Sequence, residues 1–431
     1  LYAAQAEQAF ALVAPAFGVW PKKTVLIVDD GTDLSNGSAM AWPYPTITAY
    51  PVLPLSGDVV GEYGDWGLEL LTHEYTHILN FEPATGIFKP LRWVFGSIVR
   101  PNALLPRWYS EGLAVEMETR TSKFGRLRSA SFLSIARAMV EEGSLRKEDI
   151  GRINESIPEW PGGNRPYLMG ALVWDEITRR GGDKIIGELN LAYSRSLPFL
   201  IDRPLKARLG VDYATLLSSV YDRVEKRAGE QIETIRNAGT PKVERVAQEG
   251  YFGQAPSISP DGQKLAFVAR AHNIPNYIVL KNRGDEKKSF AGVDGVKLIE
   301  SSDINRITWL PESNAFIYDS VDSFGHYYSY SDLYRCDLKF EKDEEPKCKT
   351  KRLTRGLRAR EPSLSADAKT IAFIQNTPGS TRLVSSRVDG SSVRLLYQPP
   401  IQTRVSQPTF LSPEEVVFSE RRGDGRELLK L

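Results

Sequence analysis

Long apolar runs are missing from these 431 residues. None approaches the roughly 20 residues that a membrane-spanning helix needs. Net charge is missing too: 55 Lys and Arg face 54 Asp and Glu, a balance of +1. That removes the electrostatic case for nucleic acid or a strongly charged surface as partner. Cysteine is scarce, at two, and histidine occurs only four times. The opening LYAAQAEQAF has neither Met nor a signal-like apolar core, so the chain reads as a processed or trimmed product. What is present is ordinary: 41% hydrophobic and 25% charged residues, the composition of a soluble globular protein. The length predicts two or more domains.

The first half reads as mostly helical. Residues 2–17 are Ala-rich and fit a helix. VLIV at 25–28, stopped by Asp29-Asp30-Gly31, fits a short buried strand. A second strand-like run is 47–50. Leu216, Leu217, Val220, Tyr221, Val224, Ala228, Ile232 and Ile235 recur at helical spacing. That helix should end near Asn237-Ala238-Gly239, before Pro241.

After Pro241 short β-type runs alternate with turn residues and repeat. PSISPDGQKLAF (256–267), ITWLPESNAFIY (307–318), PSLSADAKTIAF (362–373) and PTFLSPEEVVF (408–418) align. Their starts lie 51, 55 and 46 residues apart. Such a period, with several strands per unit, predicts a β-propeller. The units resemble blades of the TolB-like propellers of bacterial envelope proteins, over about residues 242–431. The resemblance implies a periplasmic or secreted location and a surface for an envelope protein partner. Three blades would be complete and the fourth partial. Because a propeller closes with four to eight blades, the natural chain is expected to continue beyond Leu431.

The stretch LELLTHEYTHILN (68–80) places two of the four histidines in an otherwise apolar helix. Asp65 is a suitable N-cap for it. His73 and His77 are four apart, so both imidazoles leave one face and reach one ion. Glu74 adjoins them, where a general base for a water would sit. Random placement of four histidines and 54 acidic residues in this length gives roughly 0.005 matches to HExxH. Burial without a ligand would be costly for all three groups.

A second motif, PRWYSEGLAVEME (106–118), contains Trp108-Tyr109-Ser110-Glu111-Gly112-Leu113-Ala114. It resembles the glutamate helix of the gluzincin (peptidase-MA-like) zinc metallopeptidases. The resemblance implies one Zn²⁺ held by His73, His77 and Glu111, with Glu74 as general base. The 34 residues between His77 and Glu111 exceed the spacing of the compact family branches, which bears on substrate specificity. In the family a Tyr or His often stabilises the oxyanion. The remaining histidines, His272 and His326, lie in the repeat region, which favours a Tyr. Tyr167, in a Tyr167-x-x-Gly170 pattern resembling the family's next helix, is the candidate, and Tyr109 its competitor. Asn80 and Glu118 fall on the ligand faces and could orient the ligands.

The expected fold is therefore multidomain. A mostly helical α+β zincin-like domain over 1–240 comprises a zinc-binding part (1–120) and a helical part (121–240). An all-β propeller over 241–431, incomplete in this chain, follows. The expected activity is zinc-dependent peptide-bond hydrolysis, as an endopeptidase acting on peptide or protein substrates. A non-catalytic, zinc-stapled envelope scaffold is the alternative. An aminopeptidase is a weaker variant, because no acidic anchor for a substrate amine can be read. Two features remain open. Residues 87–105 are apolar, broken by Pro90 and Pro101, and carry Lys89, Arg92 and Arg100. They suit core packing, a cleft wall, or a lip for peripheral contact with lipid or an apolar partner. Cys336 and Cys348 flank a charged turn in strand-like runs, where adjacent antiparallel strands would permit a bridge.

Overall fold

The computed structural model describes the chain apart from residues 21–22, 156, 158, 240–242, 251, 272–274, 284–288, 302 and 343. His272 and Pro241 thus lie outside the described residues. The chain divides into two compact units. Helices and one small sheet form the first; several antiparallel sheets form the second.

The first unit begins with α1 (Tyr2–Phe17), as the Ala-rich stretch predicts. Its sheet has the order β1-β3-β2. β1 (Val25–Val28) runs parallel to β3 (Thr46–Ala49), and β2 (Gly37–Met40) pairs antiparallel with β3. The expectation of a buried VLIV strand is corrected: Val25, Ile27 and Val28 are exposed. β1 lies at the edge of a three-stranded sheet, so part of its surface lacks cover. β2 escaped the sequence reading because GSAM contains no β-branched residue.

Then follow α2 (Trp66–Phe81), α3 (Phe88–Phe95), α4 (Arg107–Thr121) and α5 (Ala130–Glu141). α6 (Arg165–Gly181), α7 (Ile185–Tyr193), α8 (Asp202–Leu209) and α9 (Tyr213–Asn237) complete the unit. Its core joins α4 and α6 through Trp108, Tyr109, Leu113, Leu168 and Trp174, and extends to Leu216, Leu217 and Val220 of α9. Core packing of 87–105 is corrected for its helical part, since no residue of α3 is buried.

The second unit holds β4–β7 (Phe252–Ile258, Lys264–Arg270, Tyr277–Asn282, Val296–Glu300) as one antiparallel meander. β8–β11 (Ile307–Trp309, Ala315–Phe324, Tyr328–Lys339, Lys347–Arg352) form the next. β12–β15 (Ala359–Leu364, Thr370–Thr377, Ser380–Arg387, Arg394–Tyr397) form a third. β16–β18 (Arg404–Phe410, Val416–Arg421, Glu427–Lys430) form a three-stranded fourth. The repeat has a local cause. Ala255, Glu361 and Gln407, each just before a Pro, take positive φ at a register shift in the first strand of their sheets. Gly262, Ser313 and Ala368 take positive φ at the equivalent first turn. Cys336 and Cys348 are bridged between β10 and β11, whose register pairs Cys336 with Thr350 and Leu338 with Cys348.

Two pieces of the early chain belong to this second unit, 29–35 and 50–55. Asp33 accepts from Arg358 Nε at 2.7 Å and from Ser331 N at 2.8 Å. Gly379 N donates to Pro51 O, and Arg404 Nη1 to Pro54 O. Nothing in the repeat pattern announced these segments.

Candidate metal centre

α2 starts as its sequence requires. Asp65 accepts a hydrogen bond from Leu68 N at 3.1 Å and another from Gln5 Nε2 at 2.6 Å. Leu70, Leu71, Ile78 and Leu79 are buried around the helix, and so are His73, Glu74 and His77. α4 starts after Pro106, which occupies the N-cap position without a side-chain cap.

These two helices bring three donor atoms together. His73 Nε2 and His77 Nε2 are 3.2 Å apart, and each lies 3.3 Å from Glu111 Oε2. A tetrahedral ion with bonds of about 2.0–2.1 Å requires donor–donor edges of roughly 3.3–3.4 Å. Two edges of the triangle have that length and the third, at 3.2 Å, is slightly shorter. Glu111 Oε2 is buried, with the two histidine nitrogens beside it. No other group of three or more His, Cys, Asp or Glu among the described residues is spaced to hold a metal ion. The residues present fit a four-coordinate cation with one position left open.

Electrostatics accord with the geometry. Burial disfavours charge on His73, but Glu111 and Glu118 outweigh it and raise the imidazole to about 9. Burial likewise pushes Glu111 up, yet the two histidines hold it well below the usual carboxylate range. Without an ion, Glu111 and the histidines attract one another. Glu74 is raised, first by burial and partly offset by His73 and His77.

Glu118 takes the orienting position expected of it. Its Oε1 lies 2.6 Å from His73 Nδ1, and Arg126 Nη2 lies 2.9 Å from the same nitrogen; a proton on Nδ1, shared with Glu118, would leave Nε2 as the donor atom in the triangle. Arg126, which the sequence reading missed, grips Glu118 with Nε at 3.1 Å and Nη2 at 2.5 Å. Burial opposes charge on Glu118, but Arg126 and His73 lower it to about 2. The orienting role for Asn80 is corrected. Its side-chain atoms and His77 Nδ1 are all buried without hydrogen-bond partners among the described residues. Asn80 contributes its carbonyl instead, to Asn102 Nδ2 at 2.9 Å, where α2 crosses the Pro101–Leu104 turn.

Tyr167 stands at the site. Its ring lies 6.3 Å from the His73 ring, with the Arg126 guanidinium at 5.0 Å and that of Arg107 at 5.5 Å from its centre. Arg107 Nη2 donates to its hydroxyl at 3.4 Å. The approach depends on two glycines. A Cβ on Gly170 would lie 2.0 Å from Trp108 O, and one on Gly112 would lie 2.2 Å from Gly170 C. α4 and α6 therefore touch backbone to backbone, which sets Tyr167, one turn before Gly170, beside Glu111 and His73. Tyr109 is corrected as a competitor. Two residues before Glu111, it leaves the other face of α4 and packs at 4.9 Å from Trp174 and 5.2 Å from Tyr193.

No protein-family model matches the chain, and no curated protein matches it. Among solved structures, the protein assigned as TolB from Agrobacterium tumefaciens is 25% identical, with a TM-score of 0.33 over 43% of this chain and 61% of that one. TolB from Acinetobacter baumannii is 24% identical, with a TM-score of 0.28 over 43% and 44%. A Mycobacterium tuberculosis puromycin-hydrolysing peptidase is 14% identical, with a TM-score of 0.30 over 43% and 29%. The matched length is under two thirds of each of these proteins. Likeness at such TM-scores assigns neither fold nor function, so the reading of the site rests on the chain's own residues.

Proposed function

We propose that this chain is a zinc-dependent hydrolase of peptide bonds, an endopeptidase of the bacterial cell envelope. The observation that supports it most is the near-equilateral donor triangle of His73, His77 and Glu111, with a glutamate, Glu74, directly beside it in sequence. A structural zinc site would need a fourth protein ligand and no general base. When bound, zinc supplies Lewis acidity, acidifying a water and polarising a carbonyl. Glu74 takes the proton of the attacking water and returns it to the leaving nitrogen. The Tyr167 hydroxyl donates to the oxygen on which negative charge develops. Glu118, held by Arg126, keeps the His73 ring in the orientation that presents Nε2.

β2 suits an extended substrate. It is an edge strand, and Gly37 passes so close that an added Cβ would be 3.3 Å from Glu74 Oε1. A peptide that adds to that edge would lay its backbone along the site. The repeated sheets of the second unit fit part of a TolB-like propeller, which would recruit or filter substrates. The Cys336–Cys348 bridge suits an oxidising compartment, the periplasm or exterior.

The test combines metal analysis with digestion of a peptide library. Wild-type protein purified without chelators should carry one zinc and cleave internal bonds. Glu74→Gln should keep the zinc and lose cleavage by at least about 10²-fold, because it keeps the shape but not the base. Absence of stoichiometric metal would overturn the proposal. Zinc without any hydrolysis would instead favour the envelope scaffold.

A further inference from the structure

The first unit presents an apolar face that its own core does not use. Trp93 is 88% exposed, Phe95 64% and Ile98 62%. Ser97 Oγ donates to Pro43 O at 3.1 Å, which joins the turn between β2 and β3, with exposed Trp42 and Tyr44, to this face. Thr85 N donates to Ser194 O at 3.0 Å, and a Cβ on Gly86 would lie 2.9 Å from Arg195 Cβ. These contacts fix the 195–200 loop, with Phe199 92% exposed, at the start of α3. Three separate segments that carry exposed aromatic side chains are thus joined by contacts between Ser97 and Pro43, and between Thr85 and Ser194.

Their charge is one-sided. Residues 36–49 carry no charge at all. Residues 83–110 carry Lys89, Arg92, Arg100 and Arg107 and no acid, and residues 189–201 carry Arg195 and no acid. Acids flank these segments at Glu82, Glu111, Glu188 and Asp202. Arg92 and Arg100 are engaged by Glu82, and Arg107 by Glu111. Lys89 and Arg195 remain exposed at the rim. Acidic side chains are repelled by anionic headgroups, whereas Lys and Arg are drawn to them and Trp and Tyr favour the headgroup boundary. A protein partner would not require acids to be absent from all three segments. No described helix is long and apolar enough to cross a membrane.

We propose that this face inserts into an anionic lipid surface, with Trp93, Phe95, Phe199, Trp42 and Tyr44 at the acyl boundary and Lys89 and Arg195 among the headgroups. The inference does not depend on the site being a hydrolase. The 431-residue chain should sediment with phosphatidylcholine vesicles containing phosphatidylglycerol, and far less with pure phosphatidylcholine vesicles. Trp93→Ser combined with Phe95→Ser should lower the bound fraction at least about tenfold. Lys89→Glu should lower it by up to about tenfold at low salt. Circular dichroism should be unchanged in both, because the altered side chains are exposed. Brominated acyl chains in anionic vesicles should also quench the tryptophan fluorescence of the wild type, which needs no variant to fold. Failure to sediment or to be quenched, or equal binding by the double variant, would overturn the proposal. A wild-type dimer that the double variant dissociates, without vesicle binding, would assign the face to a second copy of the chain.

Discussion

At the scale of single residues, the candidate centre depends on partners for its ligands as much as on the ligands. Glu118 lies against His73 Nδ1 and is itself held by the half-buried Arg126. Glu118→Gln keeps a hydrogen bond to the ring but leaves Arg126 without its counter-charge. Zinc affinity should fall about 10–100-fold, measured by competition with a chromophoric chelator. Tyr167 acts through its hydroxyl if it donates at the transition state. Tyr167→Phe should then lower kcat more than it raises KM, with unchanged zinc content. Equal kinetics would remove Tyr167 from the chemistry, since Tyr109 is committed to the core.

At the scale of elements, the contact between α4 and α6 decides where Tyr167 stands. The helices meet where neither Gly112 nor Gly170 has a side chain, and Trp174 Nε1 ties the pair by donating to Tyr109 O at 2.8 Å. Gly170→Val forces the helices apart, because even its Cβ would meet Trp108 O inside van der Waals distance. Overpacking of this kind costs about 1–3 kcal/mol. The thermal midpoint of the variant should drop, and cleavage should fall more than zinc binding, since His73 and His77 sit on α2. Equal stability in urea titration would refute the close-contact role of Gly170.

At the scale of the whole molecule, the second unit is not the contiguous tail that its repeats suggest. Residues 29–35 supply Asp30 and Asp33 to Arg358, and 50–55 supply carbonyls to Gly379, Arg360 and Arg404. A chain of 242–431 alone would leave Arg358 and Arg404 without these acceptors, and Arg404 is almost fully buried. Each intramolecular hydrogen bond lost costs about 0.5–1.5 kcal/mol. The isolated piece should unfold at lower urea than the same residues in the full chain. Hydrogen exchange read on peptides from 242–431 can report that transition in both molecules. Coincident transitions would show the two segments to be dispensable.

Sequence by itself determined what a single helix or hairpin decides. Residues four apart on a helix share a face, so His73 and His77 were legible as a pair. Asp65 and Pro106 marked the starts of α2 and α4, and the turns at 259–262 and 365–368 marked the repeat. Tertiary structure alone decided which distant residues met: Arg126 behind Glu118, Gly112 against Gly170, Asp33 under Arg358, and α3 left outside the core. The reason is that backbone geometry fixes neighbours within a turn or two. Contacts between distant segments depend instead on how whole faces pack, and no local rule of spacing encodes that.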